Sequence, residues 1–416
     1  MDILYITHIT GVIKVKILIP TIGTRGDVQP YINIARELVK RGDKVTIATH
    51  PYWKDLVEEN KLEHLSIGQD LNIEKEAAII RGNAKIEILA IIKTFQFIFK
   101  ILKETSGEIL NIIDDFDAVI VVHSFLGANE CQLKNKKYVS ISLQPFIVPE
   151  KKEKKTFMGL LFGKCINNAM VSPFNKLRKK YNLKKINTLE DLLSDELNIF
   201  PISGLIFPRI PDWPKQHVLG GFVRLPDAGQ SMSEKITRFI GQYPNPIIVA
   251  LGAMGFDTEK EIKKLLVLIE AIKQTGNNAI IQGFHNSIKK IELPSNMIHT
   301  DSEPHNILFP KCKMIIHHCG FGTTVSVLYS GKPSICIPHI LDQFFWAQKL
   351  YEIKTAPMPV KSKKLTKEIL IAAIKECESE NIKRNAIKVR DKLLHGDNSK
   401  NTVELITTYL NKYNVN

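Results

Sequence analysis

The sequence predicts an α/β protein with two domains, each built on a mostly parallel sheet, and three observations lead to this fold class. At 416 residues the chain exceeds the length at which one hydrophobic core usually stops growing, so two domains of roughly 200 residues are expected. The chain opens with a buried strand, a loop, a helix and a second strand, the order of a β-α-β unit. A second series of the same kind begins near residue 246.

Aliphatic runs bounded by turn residues predict the buried strands, and apolar residues at helical spacing predict the helices. The predicted strands are Lys14–Pro20, Lys44–Thr49, Asp117–Val122, Tyr138–Leu143, Pro246–Leu251, Ala279–Gln282, Met297–His299, Met314–His317 and Ser334–Ile337. The predicted helices are Tyr31–Arg41, 75–113, 259–274 and Thr402–Leu410. Glycine, proline and aspartate within 215–240 are typical of a linker.

These elements divide the chain into two Rossmann-like β/α/β domains with flanking segments. The expected parts are an N-terminal extension at 1–13, a first domain at 14–220, a linker at 221–245, a second domain at 246–400 and a C-terminal helix at 401–416. The C-terminal helix is expected to cross back to the first domain. No role is predicted for the extension.

The charge balance is strongly basic, with a formal net charge of +14 and a pI near 9.3. Such a balance favours phosphates, nucleic acid or anionic membranes as partners, although a lysine-rich solvated surface gives the same numbers. The sequence contains no pattern of a nucleic-acid-binding module, so nucleic acid is not an expected partner. Six cysteines without a C-x-x-C pair argue against a disulfide scaffold or a structural zinc site.

The N-terminus lacks a secretory pattern, because Asp2 stands where a positive region would be. The most apolar stretch, 86–102, is interrupted by Glu87, Lys93 and Lys100 and does not reach the roughly eighteen apolar residues of a membrane span. A cytoplasmic location with reduced thiols is expected. Peripheral contact with a membrane remains open.

Residues 314–346 predict a strand, a glycine-containing turn, a helix, a second turn and another strand. The turn His318–Thr324 places two glycines and two threonines before the helix, where free N–H groups and the helix dipole favour a phosphate. Asp342 and Gln343 follow the next strand and suit the hydroxyls of a sugar. Taken alone, such a turn is ordinary turn chemistry, and His317 with His318 could be strand-end residues or an incomplete metal pair.

A second loop, Gly23–Pro30, reads GTRGDVQP and joins the first strand to the first helix. Asp27 in this loop could cap the helix or act as a general base, and burial is expected to raise its pKa. Arg25 could oppose that shift or reach a phosphate. His123 and Ser124 follow another strand, so they are expected at the same edge, where they could orient an acceptor or the base.

Together these blocks resemble the glycosyltransferase superfamily that includes plant UDP-glycosyltransferases and sterol glucosyltransferases. The resemblance is greatest to the branch of sterol 3-β-glucosyltransferases and glycopeptide-antibiotic glycosyltransferases, with its G-T/S-R-G-D-V-x-P, H-H-G-G-x-G-T-T and D-Q-x-F-W blocks. Outside Gly23–Pro30, the residues that match are Ser302, Pro304, His305, Leu308, Phe309, Pro310, His317, His318, Gly320, Gly322, Thr323, Thr324, Gly331, Pro333, Asp342, Gln343, Phe345 and Trp346. The resemblance implies the GT-B fold, in which an acceptor-binding domain and a nucleotide-sugar-binding domain face each other across a cleft.

The resemblance also implies roles for individual residues, with Asp27 as the catalytic base. The implied donor-binding residues are Gly23, Thr24, Arg25, Gly26, Gly252, Ala253, Met254, Phe284, Ser302, Pro304, His305, His318, Cys319, Gly320, Gly322, Thr323, Thr324, Asp342 and Gln343. This chain departs from the branch pattern at Cys319 and Ala253, and Ser302 cannot stack on a base as the tryptophan of plant relatives does. Phe284 is expected to take that stacking role.

The function that follows is inverting, metal-independent transfer of a hexose from a nucleotide diphosphate to a hydroxyl of a lipophilic acceptor such as a sterol, lipid or polyketide. Glucose and UDP are the first choices for the donor, and no cofactor is expected. The formal D-x-D at Asp115–Asp117 directly precedes a strand and predicts no metal site. The apolar stretch 86–113 suggests a lipophilic acceptor, a membrane-facing groove or a core helix. A nucleotide-sugar epimerase and a non-catalytic sugar-nucleotide-binding protein are the alternatives.

Overall fold

The computed structural model describes residues 14–82, 87–143, 157–223, 231–251, 258–285, 287–339, 341–396 and 402–413. These residues form two parallel β-sheets, as the sequence predicts. Each sheet carries one hydrophobic core on each of its faces, because successive strand residues point to opposite sides. In the first strand, Ile17 and Ile19 enter one core and Leu18 enters the other.

The first sheet has seven strands in the order β3-β2-β1-β4-β5-β6-β7. The strands are β1 Lys16–Pro20, β2 Lys44–Thr49, β3 Glu63–Ser66, β4 Ala118–Val122, β5 Tyr138–Ile141, β6 Asn198–Phe200 and β7 His217–Leu219. The helices along this part of the chain are α1 Arg25–Lys40, α2 Lys54–Glu59, α3 Ile73–Gly82, α4 Glu87–Ile112, α5 Ala128–Leu133 and α6 Phe157–Lys180. The strand order reverses at β1, and its neighbours there are β2 and β4. Ligands of open α/β sheets bind at the carboxyl ends of the strands beside such a reversal.

The second sheet has five strands in the order β10-β9-β8-β11-β12, so the same reversal occurs at β8. The strands are β8 Ile247–Ala250, β9 Ala279–Gln282, β10 Met297–Thr300, β11 Met314–His317 and β12 Ser334–Cys336. The helices are α7 Glu234–Gln242, α8 Thr258–Gln274, α9 His305–Leu308, α10 Phe321–Ser330, α11 Leu341–Glu352, α12 Lys367–Cys377 and α13 Glu380–Leu394. Residues 340 and 252–257, at the carboxyl edge of this sheet, lie outside the described part of the chain.

Aromatic side chains pack between the domain of the first sheet and the domain of the second. The ring of Phe222 lies 6.0 Å from that of Phe321 and 6.5 Å from that of Trp346, between centroids. Trp346 is fully buried. The Phe-Trp end of the D-Q-x-F-W block therefore packs at the domain interface.

The last helix, α14 Thr402–Tyr413, lies on the first sheet's side of the molecule. Its Val403, Ile406 and Leu410 enter the core formed with α1. The Thr402 N–H donates to the carbonyl oxygen of Gly220 at 2.9 Å. This contact ties the end of the chain to the first domain.

The structure differs from the predicted elements at several places. Helix α1 begins at Arg25, so the Asp27 segment that was expected to be a loop is the first turn of a helix. Part of the expected linker, 221–245, is helix α7, whose Ile236 and Phe239 pack into a core of the second domain. The expected extension at 1–13 lies outside the described residues. Among the described helices, none has both the length and the apolar character needed to cross a membrane.

Candidate functional site

The candidate base, Asp27, is the third residue of α1 and completes a capping box with Thr24. Its Oδ2 accepts hydrogen bonds from the Thr24 backbone N–H at 2.8 Å and from the Thr24 hydroxyl at 2.9 Å. Gly23 permits this turn, because its φ is +145° and a Cβ there would lie 2.4 Å from the Asp27 carboxylate. Trp53 fixes the same turn by donating its indole N–H to the Gly23 carbonyl at 3.1 Å.

The other carboxylate oxygen of Asp27 faces His123, which the sequence analysis also placed at this edge. His123 Nε2 lies 3.0 Å from Asp27 Oδ1, and His123 Nδ1 lies 2.6 Å from the hydroxyl of Tyr31. Burial raises the pKa of Tyr31 well above its ordinary range, so this hydroxyl keeps its proton. An ionised carboxylate only accepts hydrogen bonds, so His123 Nε2 carries the proton that faces Asp27, and the Tyr31 hydroxyl holds the other side of the ring.

These donors decide the charge of Asp27. Burial raises the pKa of the carboxyl, but the hydrogen bond and charge of His123 and the two Thr24 donors together bring the pKa below its ordinary value. The expectation of a raised pKa is therefore wrong, because the burial penalty is outweighed by direct hydrogen bonds. A third of the Asp27 side chain stays exposed, so an ionised carboxylate faces the cleft.

The candidate diphosphate loop connects β11 to α10. The imidazole of His318 donates from Nδ1 to the Ala250 carbonyl at 3.3 Å, and its Nε2 lies over Gly320, where a Cβ would be 2.6 Å away. Burial and the neighbouring His317 lower the pKa of His318 to about 4, so the free ring is neutral at pH 7. Its single N–H is then taken by Ala250, and donation to a phosphate from Nε2 requires protonation of the ring.

The start of α10 supplies free backbone donors beside His318. Gly320 caps the helix, and its carbonyl accepts the N–H of Thr324 at 2.9 Å. Gly322 is exposed and Thr323 half-buried, whereas Thr324 is only 1% exposed. Of the two threonine hydroxyls expected on a phosphate, the structure leaves that of Thr323 accessible.

Asp342 and Gln343 lie in the first turn of α11, at the edge of the second sheet that faces Asp27. Burial, with a further contribution from the charge of Asp27, raises the pKa of Asp342 to about 6. Gln343 is 4% exposed, and its side-chain oxygen accepts the His339 N–H at 2.8 Å, so it positions the loop before α11.

Of the remaining residues predicted to bind the nucleotide-sugar donor, some lie at the edge of the cleft and others lie in the core. His305 stacks on Phe309 at 4.3 Å between ring centroids, and burial and neighbouring positive charges, Arg25 among them, lower its pKa to about 4. Ser302 is exposed, Pro304 half-buried. Phe284 is only 9% exposed and packs in a core of the second domain, which leaves little of its ring to stack on a base.

Other predicted residues have simpler placements. Arg25 and Gly26 are exposed at the start of α1, and Cys319, which belongs to the diphosphate loop, is fully buried. Ser124 directly follows His123, with its hydroxyl oxygen buried. Gly252, Ala253 and Met254 lie outside the described residues. Asp117 of the D-x-D accepts the Lys16 N–H at 2.8 Å, a structural contact.

Sequence reasoning missed two groups at this site. Tyr31 stands one helical turn after Asp27, a spacing that places both on one face of α1 and could have indicated the contact. Lys264 of α8 lies with its Nζ 2.8 Å from His339 Nε2, behind the Asp342 turn. Burial lowers the pKa of Lys264 to about 8. Nothing in the spacing of Lys264 and His339 predicts that pair.

Among the described residues, two sets of side chains have the types and spacing to bind a metal ion. One is buried and consists of His317, Cys319 and Cys336, and the other is largely exposed and consists of His285, His299 and Asp301. Neither set includes Asp27.

Family models match both halves of the chain. The glycosyltransferase family 28 N-terminal domain matches residues 17–123. The C-terminal domain described as erythromycin biosynthesis protein CIII-like matches residues 268–406. The first match ends at His123 and the second contains the diphosphate loop.

Similar proteins include sterol 3-beta-glucosyltransferases. That of Debaryomyces hansenii is 25% identical, over 97% of this chain and 27% of that protein. One from Arabidopsis thaliana is 26% identical, over 87% of this chain and 63% of its own length. One from Vanderwaltozyma polyspora is 28% identical over 90% of this chain and 33% of that protein. The chain thus spans less than two thirds of the length of these relatives.

Solved structures with the same fold include antibiotic glycosyltransferases. The glycotransferase of kitacinnamycin superposes with a TM-score of 0.76 at 14% identity, covering 96% of this chain and 99% of that one. The calicheamicin glycosyltransferase CalG4 gives 0.72 at 15% identity, covering 96% and 98%. Glycosyltransferase VinC, in complex with DTDP, gives 0.65 at 16% identity, covering 95% and 98%.

Proposed function

We propose that this chain, a member of the GT-B glycosyltransferases, transfers a hexose from a nucleotide diphosphate to a hydroxyl group of a lipophilic acceptor. The observation that carries the proposal is the packing of Phe321, in the first turn of α10, against the core that contains Val28 and Tyr31 of α1. The Phe321 ring also lies 5.4 Å from that of Trp346 in α11, between centroids, so the helix of the candidate base and the helix of the candidate sugar-binding turn meet at the start of α10. Glucose is the proposed sugar and a sterol the proposed acceptor class, in line with the names of the similar proteins, and UDP is the proposed nucleotide.

Asp27 is proposed to take the proton from the acceptor hydroxyl as its oxygen attacks the anomeric carbon. A single displacement of this kind inverts the configuration at that carbon. The carboxylate must be ionised to accept the proton, and the donors of Thr24 and His123 keep it so. His123 also stabilises the position of the carboxylate, because it is itself held by Tyr31.

The leaving diphosphate is proposed to lie at the N-terminus of α10. Free N–H groups and the positive end of the helix dipole stabilise the charge that develops there. A diphosphate next to His318 favours the protonated ring, which then donates from Nε2. We propose that these groups suffice without a metal ion, so that a chelator leaves the transfer rate unchanged.

The acceptor is proposed to enter beside the His123 loop, where aromatic and aliphatic side chains line the first domain. A cavity of about 30 Å³ there is bounded by Phe99, Leu102, Phe125, Leu126, Phe174 and Leu177, among others. The rings of Phe125 and Phe174 lie 5.9 Å apart edge to face, as do those of Phe99 and Phe174 at 5.4 Å. The cavity has room for about one water molecule, and Lys103, Asn129 and Glu130 also line it, so a lipophilic acceptor would have to part these rings to bind there.

A donor and acceptor screen tests the proposal. The protein is incubated with UDP-, TDP- and GDP-sugars, with and without a sterol, and diphosphate release and glycoside formation are measured. Asp27→Asn is expected to lower the transfer rate by about 10²–10⁴-fold, the usual contribution of a general base. The matched control is Asp114→Asn, at an exposed residue that pairs with Lys134 on the surface.

The outcomes separate the possible functions. A glycoside with inverted configuration, lost in Asp27→Asn and retained in Asp114→Asn, supports the proposal. Release of an epimeric sugar nucleotide without any glycoside would instead identify an epimerase. Donor binding that is unchanged in Asp27→Asn, with no turnover of any donor by the folded protein, would leave a binding protein and contradict the proposal.

A further inference from the structure

His285, His299 and Asp301 lie together where the carboxyl ends of β9 and β10 meet. We propose that these three side chains form a binding site for a divalent transition-metal ion of the Zn²⁺ class. Asp301 Oδ1 lies 2.7 Å from His285 Nδ1 and 3.7 Å from His299 Nε2. One ligand atom from each residue falls within 4.8 Å of the others.

The distances fit an ion with little rearrangement. Zinc binds imidazole nitrogen and carboxylate oxygen at about 2.0–2.2 Å, which separates neighbouring ligands of a tetrahedral site by roughly 3.3–3.6 Å. The two measured separations lie on either side of that range. The Gly283 carbonyl oxygen, 2.7 Å from His299 Nε2, is a further oxygen at the same place. Two imidazoles and a carboxylate are ligands that Zn²⁺, Co²⁺ and related ions accept.

The protons on the rings allow this binding. His285 Nδ1 faces Asp301, and His299 Nε2 faces the Gly283 carbonyl and Asp301, so both nitrogens point at acceptors only. In a neutral imidazole the proton can move to the other ring nitrogen, which frees the lone pair for the ion. No backbone donor has to be displaced.

The buried set, His317, Cys319 and Cys336, cannot present a histidine lone pair to an ion in this way. There the Cys319 N–H donates to His317 Nδ1 at 3.3 Å, which places the proton of the neutral ring on Nε2. That Nε2 is the nitrogen that faces the sulfurs of Cys319 and Cys336, at 3.9 and 4.0 Å. A metal-bound histidine normally donates its other N–H to an acceptor, and here a donor occupies that place. We therefore assign the ion to the exposed set.

Exposure makes the proposed site accessible and leaves room for water ligands. The side chains of His285 and Asp301 are 62% and 75% exposed. The positive charge of Lys235 lies near the proposed site and would repel the ion. Lys235 donates to the His299 carbonyl at 2.8 Å, and its charge acts on Asp301. An ion bound here would fasten the Gly283–His285 turn to the end of β10, at the side of the second domain where a nucleotide base is expected.

Cobalt titration of the full chain, prepared without a polyhistidine tag, tests the site. Wild-type protein is expected to bind one Co²⁺ saturably, with visible d–d absorption but without the near-ultraviolet band of a cobalt–thiolate bond. Zn²⁺ should displace the Co²⁺ and raise the melting temperature. His285→Ala should weaken binding by more than about tenfold, because even the loss of outer-shell partners costs about 10–100-fold.

Two further variants sharpen the test. His395→Ala removes an exposed histidine far along the chain, on α13's C-terminal side, and should bind as the wild type does. Lys235→Met removes the opposing charge and should strengthen binding a few-fold. Absence of saturable binding, equal binding by His285→Ala, or a thiolate band that marks the buried cysteines would each overturn the assignment. None of these readouts depends on glycosyl transfer.

Discussion

Replacement of Tyr31 by phenylalanine is expected to move the acid limb of the pH–rate profile to higher pH. The hydroxyl lies 2.6 Å from His123 Nδ1 and holds the imidazole so that its Nε2 faces Asp27. Without it, the imidazole can carry its proton on Nδ1 and turn a lone pair towards the carboxylate, which favours the protonated form of Asp27. The hydrogen bond contributes about 0.5–1.5 kcal/mol, so kcat/KM on the acid limb should fall about two- to twelvefold.

The sign follows from the active form of the base. Asp27 works ionised, so the rate is lost as pH falls through its pKa, which His123 helps to lower. Raising that pKa moves the loss to higher pH and leaves the plateau nearly unchanged. The assay measures kcat/KM for release of the nucleoside diphosphate, over a range of pH values, for the wild type and the variant.

Tyr138→Phe is the matched control, because it removes another buried hydroxyl, one that donates to the Leu192 and Leu193 carbonyls at 3.1 Å and lies away from Asp27. Both variants should lose a similar amount of stability, about 1–3 kcal/mol, by leaving buried polar groups without a partner. Only Tyr31→Phe should change the profile. An unchanged acid limb in Tyr31→Phe, or an equal displacement in Tyr138→Phe, would refute the role given to Tyr31.

Two further substitutions test the second domain. Asp342→Asn should stabilise the fold at pH 7.5 by up to about 3 kcal/mol, since the Asp342 pKa is about 6 against an ordinary 3.8. Between pH 6 and pH 3.8 the Asp342 carboxyl is protonated in the native state but still ionised in the unfolded state, so wild-type stability should rise as the pH falls through this range. Below pH 3.8 the wild type and Asp342→Asn should have the same stability. Urea unfolding at a series of pH values measures both effects. Gly320→Ala should raise the donor KM about ten- to hundredfold, because its Cβ would lie 2.6 Å from His318 Nε2 and displace the ring. Gly241→Ala, whose Cβ would contact nothing within 4 Å, should leave the KM unchanged.

The sequence predicted nine of the twelve strands in the described part of the chain and missed β3, β6 and β7. Runs such as that of β1 are continuously aliphatic, which is typical of a central parallel strand. The edge strand β3, Glu63–Ser66, contains a single aliphatic residue and has exposed ends. Strand β6, Asn198–Phe200, has only three residues, too few for any periodicity to indicate a strand.

In the candidate site, features set by neighbouring residues were predictable from the sequence, whereas contacts between distant residues were not. Asp27 and the glycines around it are contiguous, so their spacing carried the prediction of a base loop. The pKa of Asp27 depends on His123, which lies 96 residues away in the chain and meets the carboxylate only through the pairing of β1 with β4. Sequence reasoning supplied the burial, which raises the pKa, and placed His123 at the same edge, but it did not give the 3.0 Å contact or the net direction of the shift.

The opposite shifts of the two cleft carboxylates suit the different tasks proposed for them. Asp27 is held ionised by donors of its own domain, Thr24 and His123. Asp342 has its pKa raised to about 6, first by burial and then by the charge of Asp27. A diphosphate entering at α10 adds negative charge, so it should favour the protonated form of Asp342, which can then donate to a sugar oxygen. The proton that Asp342 holds therefore depends on the ionisation of Asp27. Asp27→Asn should lower the pKa of Asp342, and a carboxyl-labelled NMR titration that finds no such change would contradict the coupling.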